Sequence, residues 1–138
     1  MKIHSSRISF DSKRENSLID ISDRIEGELK KSGLNDGVMF LFVPGATCAL
    51  TTIEFEPGLQ KDFPEFLDKI VPQGRYHQDL TWHDGNGHSH VRAALLKPDL
   101  FVPFSNGRLL CGTWQQIVFV ELDTRPRSRR VEIKIMGE

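Results

Sequence analysis

The spacing of apolar positions predicts that the chain begins with a strand and a helix. Apolar and polar residues alternate loosely over Lys2–Asp11, which is typical of a half-buried strand. Apolar residues then recur every four positions from Ile21 to Leu29, between Asp20, which can cap a helix, and Gly33, which can end one. The pattern therefore changes from a strand period to a helix period early in the chain.

Two strands and a second helix are predicted next. The short apolar run Val38–Val43 indicates a strand that is buried on both faces, and Ala49–Phe55 is its expected neighbour. A helix of roughly a dozen residues follows, and its apolar face includes Phe63 and Ile70. This helix is expected to end before Pro72, because proline cannot continue it.

The second half of the chain predicts a long loop, a third helix and four strands. No periodicity is found from Pro72 to Gly87, and a helix is predicted directly afterwards, from His88 to Leu96. Turns at Ser105–Gly107 and Asp123–Ser128 are expected to join strands among the following four: Leu100–Phe104, Arg108–Cys111, Gln116–Glu121 and Arg130–Met136. These elements predict a single α+β domain over residues 1–138, with two layers formed by a mostly antiparallel β-sheet and two or three helices.

Composition and charge exclude several classes of function. The 18 Lys and Arg residues nearly balance the 19 Asp and Glu residues, so no general positive field would attract nucleic acid or an anionic membrane. No apolar run is long enough to span a bilayer, and the N-terminus lacks the pattern of a signal peptide, so a cytoplasmic location is expected. Cys48 and Cys111 are far apart and are interpreted as small buried residues, with a nucleophilic role for Cys48 as the alternative.

Histidines are concentrated in one segment of the chain. Four of the five fall within the fourteen positions from His77 to His90. Neutral imidazole is the commonest metal ligand, and three imidazoles with an open fourth position are typical of catalytic zinc. The alternative is that these histidines are surface or packing residues. Glu54 and Asp79 are the carboxylate candidates for a general base or for a partner of a ligating histidine.

The turn-forming run Asp84–Gly87 precedes the third helix and bears on how these histidines are arranged. On a helix His88 and His90 would point in different directions, whereas extended or capping backbone at His88 would place them on one face. A helix N-terminus disfavours imidazolium and attracts phosphate to free backbone amides. The pattern thus predicts a divalent metal held by His77, His88 and His90 beside a phosphorylated ligand, with His83 as a fourth candidate ligand.

Two other polar segments are candidates for ligand binding. The basic run Arg125–Arg130 could hold phosphate, because guanidinium groups match phosphate oxygens, or it could be a solvated turn paired with acidic neighbours. The segment Gly112–Gln116 could line a pocket, with Trp114 as an apolar wall and Thr113 or Gln115 as orienting donors. A strand bend is the alternative interpretation of that segment.

The sequence closely resembles the YjbQ-like family over nearly the whole chain. The resemblance rests on these motifs: Asp84–His90, Arg92–Leu96, Gly107–Leu109 and Gly112–Gln115. Three shorter motifs occur in the family's order and spacing: Thr51–Glu54, Tyr76–His77 and Arg129–Arg130. One departure is the segment Gly45–Cys48, where many relatives have His-Thr-Ser-Ala or His-Thr-Thr-Ala, so any role of that extra histidine is missing here.

The resemblance implies a compact α+β subunit in a homotrimer, with the histidine site near the subunit boundary. It also implies a secondary thiamine-phosphate synthase, a transferase that joins a pyrimidine pyrophosphate to a thiazole phosphate and releases pyrophosphate. By motif, His77, His88 and His90 would bind the metal or substrate. The remaining expected site residues are Glu54, Asn86 and Gln115 as catalytic groups and Thr113, Arg127 and Arg130 as substrate-binding groups.

Three hypotheses remain open from the sequence. The first is the synthase-like enzyme, but a three-histidine site favours zinc, whereas pyrophosphate is usually partnered by Mg²⁺, which prefers oxygen ligands and could take part during turnover. The second is a metal-dependent hydrolase of a small metabolite, in which zinc-bound water is the nucleophile. The third is a non-enzymatic trimeric binding module.

Overall fold

The computed structural model describes residues 1–138 and contains eight strands and four helices. In chain order these are β1 (Lys2–Asp11), β2 (Ser17–Asp20), α1 (Ser22–Ser32), β3 (Gly37–Phe42), β4 (Cys48–Ile53), α2 (Leu59–Ile70), α3 (His77–Trp82), α4 (Gly87–Leu96), β5 (Asp99–Ser105), β6 (Arg108–Leu109), β7 (Gln116–Glu121) and β8 (Ser128–Gly137). No helix has both the length and the apolar composition needed to cross a membrane.

All strand pairs are antiparallel, and they form two sheets. The larger sheet has the order β1-β8-β3-β5-β6 and the smaller has the order β2-β7-β4. The predicted α+β class with antiparallel strands is confirmed. The strands divide between two sheets, and α3 adds a helix inside the segment that was predicted to be a loop.

Two apolar cores hold the layers together. The larger core lies between the sheets and includes Ile25 and Leu29 of α1, whose spacing predicted this helix. The smaller core joins the other face of β7 to α2 and α4 through residues such as Val118, Leu67 and Ala93. Strand β7 is therefore covered on both faces, which explains why its sequence is a continuous apolar run.

The central position of β7 fixes where the polar ends of the small sheet lie. Cys48 of β4 pairs with Glu121 at one end of β7, and Ile53 pairs with Gln116 at the other. Five residue steps separate these two pairs, which corresponds to about 17 Å along the strand. We call the first the Glu121 end and the second the Gln116 end.

Candidate functional site

Helices α3 and α4 meet through a single carboxylate. One oxygen of Asp79 accepts a hydrogen bond from the Tyr76 amide at 3.2 Å, and the other accepts from the Gly87 amide at 3.0 Å. A Cβ atom at position 87 would lie 2.5 Å from Cβ of Tyr76, so only glycine permits this close approach. Asp79, expected as a general base or histidine partner, instead fixes the start of both helices.

The four clustered histidines have different environments. His77 lies in the first turn of α3, and His83 follows its last turn; both are exposed. His88 is completely buried, whereas His90 is partly buried with Nε2 at 3.5 Å from Nε2 of Gln78. Helix α4 begins at Gly87, so His88 and His90 both have helical backbone and point in different directions.

The three histidines predicted as metal ligands are therefore not brought together as a set in this chain. No group of three or more His, Cys, Asp or Glu side chains is arranged to hold a metal ion. His88 already has a protein partner on Nε2, and His90 lies beside a glutamine amide. The arrangement within this chain does not fit a three-histidine zinc site.

His88 is paired with Glu15, which sequence reasoning did not identify. Nε2 of His88 hydrogen bonds with Oε1 of Glu15, which is 73 positions away and lies in the connection between β1 and β2. Because a carboxylate can only accept, Nε2 donates the hydrogen of this bond. In the neutral ring Nδ1 then has a free lone pair, and this atom is buried without a partner.

Buried polar atoms without partners are concentrated at the junction of α3 and α4. Three of the four such side-chain atoms in the chain lie here: Oε1 of Gln78, Nδ1 of His88 and Oγ of Ser89. The fourth is Oγ of Ser6, on β1. An unsatisfied buried polar group costs about 1–3 kcal/mol, so their concentration marks this junction as the place where the protein lacks hydrogen-bonding partners.

Arg92 secures the connection that carries Glu15. Its guanidinium is fully buried, donates to Oδ1 of Asn16 at 3.0 Å and lies 3.6 Å from Oε1 of Glu15. It also donates to the Val71 carbonyl and to Asp68, each at 2.9 Å. Arg92 thus holds α2, α4 and the β1–β2 connection in one arrangement. The sequence motif that contains it predicted no such role.

Two arginines of the candidate basic run, Arg127 and Arg129, form ion pairs with buried carboxylates at the Glu121 end. Arg129 donates to both oxygens of Glu121, at 2.9 and 2.6 Å, and to Oγ1 of Thr47 at 2.9 Å. Arg127 donates through Nε to Asp123 at 2.8 Å. Burial opposes ionisation of Asp123, but hydrogen bonds from Arg127, from the Thr124 amide and from Thr47 outweigh it and lower the pKa of Asp123.

Asn86, predicted as a catalytic group, connects these carboxylates to α4. Its side chain is buried at the start of the helix. In one orientation of the amide, Nδ2 lies 3.4 Å from Oδ1 of Asp123; in the reversed orientation, which satisfies the amide better, the nitrogen donates to Asp84 at 2.9 Å. The start of α4 is therefore surrounded by carboxylates, and the Gly87 amide already donates its hydrogen bond to Asp79.

Arg130 is the predicted phosphate-binding residue that remains most accessible. It is about half exposed, and its Nε donates to Glu132 at 2.9 Å. It borders an open groove, which we call the arginine groove, lined by Ser9, Phe10, Asp11, Pro44, Ser128, Arg129 and Arg130. Arg129 also reaches Glu121, so this groove adjoins the polar network at the Glu121 end.

The remaining predicted site residues lie at the Gln116 end. Gln115 donates to Oγ1 of Thr52 at 3.1 Å and accepts from the Gly112 amide at 3.0 Å, so it stabilises a local turn. Thr113 and Glu54 are exposed. Because β4 and β7 span the distance between the two ends, Glu54, Thr113 and Gln115 do not lie together with Asn86 and His88 in this chain.

Cys48 is unsuited to a nucleophilic role. Burial raises the pKa of its thiol to about 11, although Arg129 opposes this effect. A Cβ atom at Gly45 would lie 2.8 Å from Sγ of Cys48 and 2.9 Å from Nη1 of Arg129. The space next to Gly45, where many relatives were expected to carry a histidine, is thus occupied by Cys48 and Arg129.

The chain is similar in sequence and structure to a group of archaeal and bacterial proteins. Residues 6–138 match the family described as UPF0047 protein YjbQ-like. A UPF0047 protein of Archaeoglobus fulgidus is 40% identical over 120 residues, which cover 86% of this chain and 90% of the relative. UPF0047 protein YugU of Bacillus subtilis is 32% identical and covers 90% of this chain and 92% of its own.

Solved structures agree over almost the entire chain. A YbjQ-like protein of unknown function from Sulfolobus solfataricus superimposes with a TM-score of 0.93 at 32% identity, and 99% of each chain is covered. A hypothetical protein from Aeropyrum pernix has a TM-score of 0.91 at 31% identity and covers 98% of this chain and 99% of its own. The arrangement of sheets and helices described above is therefore common to these proteins.

The two thiols are expected to differ in reactivity. With a pKa of about 11, Cys48 is present as thiolate in on the order of one molecule in a thousand at pH 8, and it is shielded from solvent. Burial and the charge of Glu26 also raise the pKa of the Cys111 thiol, but this thiol is only partly buried. In a disulfide-exchange titration of the native protein, the thiol that remains in Cys48→Ser should therefore react faster than the thiol that remains in Cys111→Ser. Equal rates for the two variants would contradict the buried environment of Cys48, and unfolding in denaturant should expose one thiol in each.

Proposed function

Since the chain belongs to the UPF0047 YjbQ-like family and its unpartnered polar atoms gather where α3 meets α4, we propose that it is an enzyme acting on a small phosphorylated metabolite at this junction. The observation that carries the proposal is His88, a buried imidazole that Glu15 holds on one nitrogen and that lacks a partner on the other. Such a group can hydrogen bond to a reacting substrate without first giving up another contact.

The charges around the junction divide the proposed site into two parts. Asp79, Asp84 and Asp123 surround the start of α4, and this negative charge disfavours a phosphate there. Arg130, and the edge of Arg129, supply positive charge in the arginine groove. We therefore assign the phosphate of the substrate to the arginine groove and its uncharged or cationic part to the junction, which revises the expectation of phosphate at the helix N-terminus.

More specifically, we propose that the protein is a thiamine-phosphate synthase-like transferase. In that reaction a pyrimidine pyrophosphate is joined to a thiazole phosphate, and negative charge develops on the leaving pyrophosphate. Arg130 is the residue assigned to this charge, because fixed guanidinium donors stabilise phosphate oxygens as charge develops. Arg127, which was also expected to bind substrate, is held by Asp123 and does not line the arginine groove. Zinc on His77, His88 and His90, or Mg²⁺ during turnover, would need ligands in addition to those that one chain arranges.

Arg130→Ala is expected to raise KM for the phosphorylated substrate at least about tenfold, because a lost charge-assisted hydrogen bond is worth roughly 1.5–3 kcal/mol. The assay would follow product formation from the two thiamine precursors and, in parallel, phosphate release from a panel of small phosphorylated metabolites, using protein without a histidine tag. Arg7→Ala is the matched control, because Arg7 also pairs with Glu132, at 2.8 Å, but does not line the groove.

The outcomes of this assay separate the functional hypotheses. Phosphate release without synthase activity would favour the hydrolase, and inactivity towards every phosphorylated compound tested would contradict the proposal. Equal effects of the two arginine variants would contradict the assigned phosphate position. Metal analysis of the same tag-free protein tests the cofactor: a stoichiometric metal that is lost in His88→Ala and His90→Ala would support a metal site, and its absence would reject one.

We also propose that the protein is a homotrimer. Leu80 and Trp82 of α3 are 70% and 72% exposed near the junction, whereas Leu110 and Trp114 are 60% and 71% exposed towards the Gln116 end. Two unlike apolar patches on one subunit suit a head-to-tail contact, which closes into a ring when the rotation permits. Such a contact would also place the Glu54 and Gln115 of one subunit near the histidines of the next.

Light scattering is expected to give the mass of three chains for the wild-type protein. The double variant Trp82→Ser, Trp114→Ser should shift the protein towards monomer, because it removes one large apolar side chain from each patch. Phe101→Ser is the control, since Phe101 is 62% exposed on the outer face of the larger sheet, beside Phe40. A monomeric wild type would contradict the trimer, and dissociation by Phe101→Ser alone would assign the contact to the larger sheet.

A further inference from the structure

We infer that Glu15 is a positioning residue that keeps the hydrogen of His88 on Nε2, so that Nδ1 is available to accept a hydrogen bond from a hydroxyl or amine group of the substrate. This inference rests on the proposed function, in which the junction of α3 and α4 binds the substrate. It adds a residue from the β1–β2 connection, a segment in which neither the sequence motifs nor the family resemblance identified a functional group.

The position of Glu15 is fixed from several directions. Asn16, next to it, has a φ of +57° and accepts a hydrogen bond from Arg92 at 3.0 Å. Ser12, at the start of the same connection, donates to Glu121 and accepts from the Arg127 amide at 3.0 Å. Because both sides of Glu15 are attached to buried groups, its carboxylate is held at His88 rather than left to move in solvent.

The surroundings of His88 distinguish this arrangement from an ordinary packing histidine. A buried histidine that serves only packing normally has partners on both ring nitrogens, since a buried polar atom without a partner loses its hydration and gains nothing in return. Here the ring is completely buried, Nε2 is bonded to Glu15, and Nδ1 has no partner. The hydroxyl of Ser89, the next residue on α4, is also buried without a partner.

The chemistry of an imidazole lone pair restricts what it can bind. Nδ1 with a free lone pair accepts from hydroxyl, amine or protonated ring-nitrogen groups, whereas an ionised phosphate offers only acceptors. The charged groups around this region are Glu15, Asp79, Asp84, Asp123 and Arg92, and only Arg92 is positive. The donor-bearing end of the substrate therefore belongs at His88, and the phosphorylated end belongs in the arginine groove.

Long-range ¹H–¹⁵N correlation spectra of the ¹⁵N-labelled protein report directly which ring nitrogen carries the hydrogen. The His88 signals would be assigned by their loss in His88→Gln. In the wild type we expect Nε2 to be protonated and Nδ1 to be unprotonated. A hydrogen on Nδ1, or on both nitrogens, would overturn the inference without any need for a variant.

Glu15→Leu tests whether Glu15 is the cause. It removes the acceptor at similar side-chain volume, so we expect the preference for Nε2–H to be lost and signal from the Nδ1–H form to appear. Lys13→Leu is the matched control, because Lys13 is exposed in the same connection and makes no hydrogen bond or ion pair. An unchanged tautomer in Glu15→Leu, or the same change in Lys13→Leu, would overturn the role of Glu15.

The spectra test the inference about His88 and the enzyme assay tests the proposed function, so one claim can fail while the other stands. The wild-type tautomer and its dependence on Glu15 are measured without substrate, so they would persist if the protein were inactive towards every phosphorylated metabolite tested. In that case the proposed function would fail while the arrangement of His88 stood. If the enzyme were active but the hydrogen were on Nδ1, the proposed function would stand and the inference about His88 would fail.

Discussion

The ion pair between Glu121 and Arg129 is the contact on which the polar half of the structure depends. Glu121 is completely buried and the Arg129 side chain is only 10% exposed. Removing one partner of such a pair typically costs about 3–5 kcal/mol, a large part of the roughly 5–15 kcal/mol by which domains are stable. Glu121 also binds Ser12, and Arg129 binds Thr47, so the pair holds together the connections that follow β1 and β3.

The candidate site is built outward from this pair. The connection that begins at Ser12 carries Glu15 to His88, and the segment after Glu121 carries Asp123 to Arg127. Buried carboxylates thus pair with Arg127 and Arg129, and Arg130 is the most exposed of these three arginines. The same contacts that stabilise the end of the small sheet also separate the acidic junction from the arginine groove. In the proposed site, this separation sets the orientation of a substrate with one phosphorylated end.

Local patterns in the sequence predicted the regular parts of the fold. The four-residue spacing around Ile25 predicted α1, and the pair Asn106-Gly107 predicted a tight turn; both residues have positive φ, at +52° and +69°, between β5 and β6. Helix α3 was missed because its six residues, none of them buried, have no apolar face to create a period. Strand β2 is only four residues long and gave no signal above its neighbours.

The site was only partly predictable, because its decisive contacts are long-range. The histidine cluster lies in the segment that also holds most of the unpartnered buried polar atoms, but His88 has helical backbone instead of the extended or capping backbone that would have put it on one face with His90. Nothing near Glu15 indicates a partner 73 positions away, since that contact depends on how the chain passes from β1 of the larger sheet to β2 of the smaller sheet. Likewise, the family motifs predicted that Glu54 and Gln115 belong to the same site as the histidines. Strands β4 and β7 instead place these two residues at the Gln116 end of the small sheet, away from the histidines.

In the proposed site, the junction of α3 and α4 and the arginine groove bind the two ends of one substrate. This arrangement can be tested with a crystal structure of the tag-free protein soaked with the pyrimidine pyrophosphate and the thiazole phosphate. We expect a bound molecule with its phosphate on Arg130 and a donor group within hydrogen-bond distance of Nδ1 of His88. Occupancy of another site with the junction unchanged, or repacking in which protein groups satisfy both His88 and Ser89, would contradict it.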